Sequence, residues 1–407
     1  MFTKMLDAGK EKIPALIGGV ALASFSILAQ YDLPIFSYGV VFLLLYCMYL
    51  FLFKGKRPYL NRSMTVFIAF ALVQQLLVYM ATGTFLKNMN TYLFMFVSLF
   101  LLAFACHIDK RLFFKAYFVL GMVCSAIVIV QFFLANILGI PQSTIQILPV
   151  SEENQHFWLT DSNRIGGLFT EPQGFSSYIL PLLTMLVFSK KYISAAFVSV
   201  AIFASTSSQG ILLMAFIWAY SFFISGRNTD RKFKRVFVVA ASGIVLLLVL
   251  SQIPQFSFIF DKIGDINIFG YDIRLTKGFQ VFFAMPFWDQ IVGIGFGNLQ
   301  AYLLSGDFNL FWMSLTKPEL LDYITTMSNV LVSFGVGGLI FYLNIFRANW
   351  STPHVESKVV LLLLLISSFT QTILFNAWFL FYWIVFEVLD EKEFSRYRVL
   401  HFGIRKE

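Results

Sequence analysis

AYFVLGMVCSAIVIVQFFLANIL, residues 116–138, carries no charged side chain. As a helix it rises roughly 34 Å at about 1.5 Å per residue, enough to cross the roughly 30 Å hydrocarbon core of a bilayer. Lys110, Arg111 and Lys115 crowd its start. Outward from it, apolar runs recur near residues 13–30, 35–53, 64–82, 91–106, 172–189, 192–206, 210–225, 236–253, 325–346 and 359–386. The last is long enough for one tilted span or for two short helices folded at 371–376. Of 407 residues 58% are hydrophobic, 50 are Phe and only 13% are charged, more apolar surface than a water-soluble fold can hide. The expected fold is all-α: a polytopic membrane helical bundle of 11 to 12 spans, one transmembrane domain over residues 1–407.

Lys and Arg counts in alternate connections orient it. Lys4, Lys10, Lys12, Lys54, Lys56, Arg57, Arg62, Lys110, Arg111, Lys115, Lys190 and Lys191, five residues within 227–235, and Arg347 and Lys358 make 19 on one side. The intervening connections hold six: Lys87, Arg164, Lys262, Arg274, Lys277 and Lys317. The N-terminus is therefore expected in the cytoplasm. The tail from Glu387 is balanced in charge, so charge does not place it; a twelfth short helix puts it inside. The net charge of +8 then gathers on the cytoplasmic face, which suits anionic inner-leaflet lipid and not nucleic acid. Cys47, Cys106 and Cys124 fall in or at the edges of spans, so neither a disulfide framework nor a zinc site is expected. The first apolar run lacks a small-residue cleavage site and reads as a retained helix.

Two outer connections are long, residues 139–171 and 254–324. A loop of the second one's length is usually folded and often functional. It contains two amphipathic stretches, 273–288 and 298–306, expected as short interfacial helices capping the bundle. Between them GIGFGN, 293–298, lacks the spacing and βαβ context of a dinucleotide fingerprint.

The chemistry concentrates in RIGGLFTEP, residues 164–172. Arg164 and Arg274 are the two arginines of the outer connections, and a guanidinium can bind phosphate oxygens in pairs. Two readings stand: the arginines grip a lipid-linked pyrophosphate, or they pair with Glu171 and with Asp272 or Asp289 to hold loops. Glu171 before Pro172 is also a common helix start, or a carboxylate with a raised pKa that accepts a sugar proton. His156 reads as a solvated loop residue or a base. STSSQG, 205–210, caps helices or faces a sugar. Phe157, Trp158, Phe287, Trp288, Phe311 and Trp312 form an interfacial belt or stack on sugars.

The layout resembles the Wzy-type O-antigen and capsular polysaccharide polymerases, whose superfamily includes the O-antigen ligases. The resemblance spans residues 139–345. It rests on RxxGLFxEP before a middle helix, the serine-rich turn, and a large outer loop with a basic residue and a GxGxGN turn. It implies a C-type glycosyltransferase-like membrane fold without metal or other cofactor. The implied enzyme transfers a growing glycan from undecaprenyl pyrophosphate to an incoming lipid-linked oligosaccharide repeat at the outer face of the bacterial cytoplasmic membrane. Its implied partners are that substrate, membrane lipid and a chain-length regulator protein. Matched to the motifs, Arg164, Glu171 and Arg274 are the implied catalytic residues. Gly167, Pro172, Lys277, Asp322, Ser328 and Asn329 are the implied substrate contacts, ahead of Gly335, Gly337 and Gly338. Many relatives carry histidine where Ser328 stands and a basic residue where Gln209 stands. The first departure moves the expected base to Glu171, Asp322 or Glu319 and weakens the ligase alternative. A secondary transporter, the rival from another class, predicts charged or unwound positions at midplane in two matching halves, whereas these spans are nearly free of charge.

Overall fold

The computed structural model describes residues 2–31, 33, 36–83, 89–149, 165–225, 273–306, 308, 310–315, 318–390 and 397–399. Arg164, His156, Phe157, Trp158, Lys317, the apolar run at 236–253 and the start of the second outer loop lie outside them, as do the side chains of Arg274 and Glu319. In chain order the elements are α1 (Phe2–Leu28), α2 (Tyr38–Leu52), β1 (Tyr59–Asn61), α3 (Arg62–Thr82), α4 (Met89–Ala105), α5 (Lys110–Asn136), α6 (Pro172–Phe188), α7 (Tyr192–Ala204) and α8 (Ser208–Ser225). Then follow α9 (Ile273–Ala284), α10 (Phe287–Val292), α11 (Leu299–Ser305), two 3-10 turns (Phe311–Leu315, Pro318–Leu320), α12 (Thr326–Asn349), α13 (Val355–Thr370), α14 (Ala377–Leu389) and β2 (Tyr397–Val399). The protein is all-helical, with 75% helix and almost no strand among these residues. Of the 14 α-helices among the described residues, α3, α5 and α12 are each long and apolar enough to cross a membrane, and several others are apolar but shorter.

The chain divides into two compact units, residues 1–33, 37–39 and 111–267 in one, and 34–36, 40–110 and 268–407 in the other. In the first, α6, α7 and α8 pack on one another. From Phe175 to Val187 α6 is buried at every position, which marks it as the central helix of its group. The Tyr178 hydroxyl donates to the Ala23 carbonyl at 2.9 Å and so ties α6 to α1.

In the second unit α12 packs against α3, α9, α10 and α13, and α13 and α14 form a hairpin. The 359–386 run is thus two helices folded at 371–376. Asn376 caps α14 by accepting from the Trp378 and Phe379 N–H groups. One end of this unit is tied by polar contacts: Asn61 Nδ2 to Asn349 Oδ1 at 2.7 Å, Asn349 Nδ2 to Ser63 Oγ at 2.9 Å, and Lys110 Nζ to the Leu389 carbonyl at 3.3 Å. At the same end β2 pairs antiparallel with β1, Leu60 opposite Arg398.

At the other end the glycine turn 293–297, which separates the stretches expected as short interfacial helices, is lodged against α3 and α12. The α12 backbone breaks at Gly335, where φ is 66° and ψ is −170°. Break and turn meet backbone to backbone: a Cβ on Gly335 would stand 2.1 Å from the Ile291 carbonyl oxygen. The Ile294 and Gly295 N–H groups donate to the Val332 and Ser333 carbonyls at 3.1 and 2.9 Å. Gln74 Nε2 donates to Val292 O and Ser333 O at 3.0 and 3.1 Å. Gln75 clasps the Phe296 peptide group from both sides, donating to its carbonyl at 2.7 Å and accepting from its N–H at 2.8 Å. Phe67, Phe296, Phe334, Phe375 and Phe379 pack ring to ring around the junction.

Gly335→Ala meets both a left-handed φ and a backbone clash, and is expected to cost at least about 2 kcal/mol. At Gly337 the nearest atom to an added Cβ is Phe70 Cζ at 3.6 Å, so Gly337→Ala should be neutral or gain up to about 1 kcal/mol from helix propensity. Thermal unfolding of the two variants in one detergent checks the contrast; equal melting temperatures would contradict the account.

Candidate functional site

The sequence-expected site residues fall in two groups, one in each unit. The first surrounds the entry to α6. Pro172 is buried at the first helical position and exposed Glu171 stands at the N-cap with extended backbone, φ −135° and ψ 147°. The Glu171 side chain makes no capping hydrogen bond to the helix. The helix-start reading of Glu171–Pro172 holds for the backbone and leaves the carboxylate's chemistry open. Ahead of it Gly167 is left-handed, φ 69°, and a Cβ there would lie 2.8 Å from Val128 Cγ2.

Two glutamines hold this loop. Gln131, on α5, accepts from the Gly167 N–H at 3.0 Å and donates to the Ser143 carbonyl at 2.9 Å. Gln30, just past α1, accepts from the Thr170 N–H at 2.8 Å and donates to the Leu168 carbonyl at 3.3 Å. The backbone is therefore fixed from both sides through Thr170. Gln173 Nε2 donates to Gln209 Oε1 at 3.0 Å, which joins the start of α6 to that of α8. In the serine-rich turn Ser207 Oγ accepts from the Gly210 N–H at 3.2 Å, a capping role.

The second group lies at the N-terminal end of α12. Ser328 is fully buried, and its Oγ bonds the Thr325 hydroxyl at 2.9 Å and the Thr325 carbonyl at 3.0 Å. Asn329 Oδ1 accepts from Ser333 Oγ at 2.7 Å. Close approach of α9 depends on Gly278: a Cβ there would stand 2.2 Å from Ser328 Oγ. Thr326 is the hub of the cluster. Its N–H and hydroxyl both donate to the Gln371 carbonyl at 2.8 Å, and its Oγ1 accepts from the Ile373 and Leu374 N–H groups at 2.7 and 3.2 Å. The 371–376 turn is thereby held against the start of α12. A small pocket beside it is lined by Tyr323, Ile324, Thr325, Thr370 and Thr372.

Lys277 is only 2% exposed. Its Nζ donates to the Leu320 carbonyl at 2.5 Å and sits 4.4 Å from the centre of the Trp312 ring. Burial lowers its pKa to about 8, and the exposed Asp322 carboxylate pulls it back up. Trp312 is 4% exposed, whereas Phe287, Trp288 and Phe311 are 66%, 72% and 73% exposed. Of the aromatic set, these three face outward as a belt requires and Trp312 turns inward beneath the lysine. Asp289, offered as a partner for Arg274, accepts from the Tyr302 hydroxyl at 2.5 Å.

Gln30, Gln131 and Thr326 were not singled out as site residues from the sequence. For the glutamines the available signal was position, an uncharged amide at the edge of or inside an apolar run. Thr326 gave none, because a threonine at a helix start is ordinary. Among the described residues no group of three or more His, Cys, Asp or Glu side chains is placed to hold a metal ion. No protein-family model matches the chain, and no curated protein matches it.

Thr326→Ala removes three bonds of its hydroxyl and is expected to cost about 2–3 kcal/mol at about 1 kcal/mol each, with Thr326→Ser retaining most of the stability; thermal unfolding distinguishes the two. Lys277 is expected to make stability depend on pH. Its folded pKa lies below the unfolded value, so between pH 8 and about 10.4 the unfolded chain binds more protons and stability rises with pH. Subtracting the melting curve of Lys277→Met across that window should isolate the rise. Parallel curves would contradict it.

Proposed function

We propose that the chain is a polytopic glycan polymerase of the cytoplasmic membrane. It transfers a growing glycan from undecaprenyl pyrophosphate to a hydroxyl of an incoming lipid-linked oligosaccharide repeat at the outer face. The observation that carries this reading is the RxxGLFxEP entry, whose main chain is anchored by Gln30 and Gln131 immediately before Glu171 and Pro172. A loop built that firmly suits residues that must meet a reacting group, because misplacement of about 1 Å is costly to rate.

In this reading the acceptor oxygen attacks the anomeric carbon of the growing chain and the bond to the pyrophosphate oxygen breaks. The carrier leaves with the electron pair. Arg164 and Arg274 neutralise the charge on that leaving group, which is worth most where water is excluded. Glu171 takes the hydroxyl proton or orients Arg164. Ser328, enclosed by Thr325, serves the architecture of the helix start, which fits a polymerase without a histidine there better than a ligase.

The topology follows the charge pattern. Within the second unit, β1, the start of α3 and the end of α14 share the end that carries Arg57, Arg62 and Lys110, while Lys277, Asp322 and Ser328 belong to the other. With the basic end cytoplasmic, pairing of β2 with β1 brings the C-terminal tail inside. This reading counts twelve crossings: α1 to α8, the 236–253 run, α12, α13 and α14.

The interruption of α12 is the feature that favours a transporter, since broken helices line ion and substrate sites there. Its freed carbonyls are instead bonded by Gln74 and the glycine turn, and no second break occurs among the described helices.

Arg164→Ala and Arg274→Ala should each slow elongation by about 10²- to 10³-fold, as loss of one preorganised donor does, without lowering the amount of protein in the membrane. Normal long glycan from both variants would refute the polymerase assignment.

A further inference from the structure

We propose that Lys277 is a positioning residue that fastens the outer segment 311–324 to α9, and that it does not bind the anionic substrate. The catalytic consequence rests on the polymerase reading; the clamp itself does not.

The ammonium is already engaged. It reaches two separate 3-10 turns at once, Leu320 through its carbonyl and Trp312 through its ring face. Both contacts draw on the positive charge, since a carbonyl dipole and an aromatic quadrupole each present negative potential. These contacts hold the nitrogen on two sides, and the side chain is almost closed to solvent, so a phosphate has little access to it.

The segment it fastens needs such a tie. Phe311 and Leu320 are 73% and 50% exposed, and Asp322 and Tyr323 are exposed too. Its inward anchors are Trp312, Leu321 and Ile324, which join Val281 and Phe282 of α9, Met285 just past it and Leu331 of α12 in one apolar cluster. Lys277 adds the one directional bond from α9 to that segment among the described hydrogen bonds. It stands on α9 one turn beyond Arg274 and next to Gly278, whose close approach to Ser328 fixes the helix on α12. Through Lys277 the outer segment, Asp322 included, is set in register with the arginine-bearing helix.

The test uses the full chain in lipid nanodiscs, with inorganic pyrophosphate as the anion probe. Amine acetylation read by mass spectrometry should modify Lys277 at least about tenfold more slowly than exposed Lys54 and Lys190, as a group enclosed in folded structure requires, and pyrophosphate should leave that rate unchanged. Lys277→Met should speed hydrogen exchange across 311–324 by about tenfold, the loss of a charge-assisted bond, and Lys277→Arg should restore most of the protection. Trp312→Leu loosens the same clamp from the other side, and its effect combined with Lys277→Met should be clearly less than additive. In elongation assays with the native lipid-linked repeat, Lys277→Met should lower kcat by about tenfold with KM changed less than about twofold. Protection of Lys277 by pyrophosphate, or unchanged exchange in both single variants, overturns the proposal. If the wild-type chain elongates nothing, the polymerase reading fails while labelling and exchange still decide the clamp.

Discussion

An unwound peptide group inside an apolar bundle has no water to bond, and each one left unsatisfied costs several kcal/mol. The break at Gly335 imposes that constraint in the interior of a helix of membrane-crossing length. Its solution organises the second unit. The glycine turn is drawn in to bond Val332 and Ser333, α3 contributes Gln74 and Gln75 where apolar residues would otherwise stand, and aromatic rings close over the junction. Because the first half of α12 ends there, the orientation of Thr325, Thr326 and Ser328 depends on contacts made at the break.

The same device recurs in the first unit, where Gln30 and Gln131 hold the loop before α6. A neutral amide brings one donor and one acceptor to a buried peptide without the desolvation cost of a charge. It can hold irregular backbone in an apolar setting where a salt bridge would be expensive. Among the described residues few charged side chains are buried, Lys277, Glu387 and Asp390, and the depressed pKa of Lys277 records what burial costs.

The helical class was legible because apolar runs of 15 to 25 residues dominate the chain, and chain length limits what such runs can form. The fold of 359–386 into two helices was legible only as an alternative; the polar residues at 371–376 allowed a turn, and Thr326, distant in sequence, holds it. The inward docking of GIGFGN was not legible, since the glycines signal a tight turn but their partners are backbone carbonyls of another helix, and a carbonyl has no sequence signature. For a similar reason Trp312 read as one more interfacial aromatic: its burial is set by a lysine 35 positions earlier. Glu171 and Pro172 were legible as a helix start, and Gly167 as part of the motif, although the residues that pin them come from other helices.

The central claim is glycan transfer from a pyrophosphate carrier by this chain alone. Its most direct measurement incubates purified full-length protein in nanodiscs with the native lipid-linked repeat, EDTA present and no sugar nucleotide supplied, and follows lipid products by mass spectrometry. The account predicts a ladder of lipid-linked glycans lengthened by whole repeats, with one undecaprenyl pyrophosphate released for each repeat joined. Unchanged single repeats, with no carrier released, would contradict it.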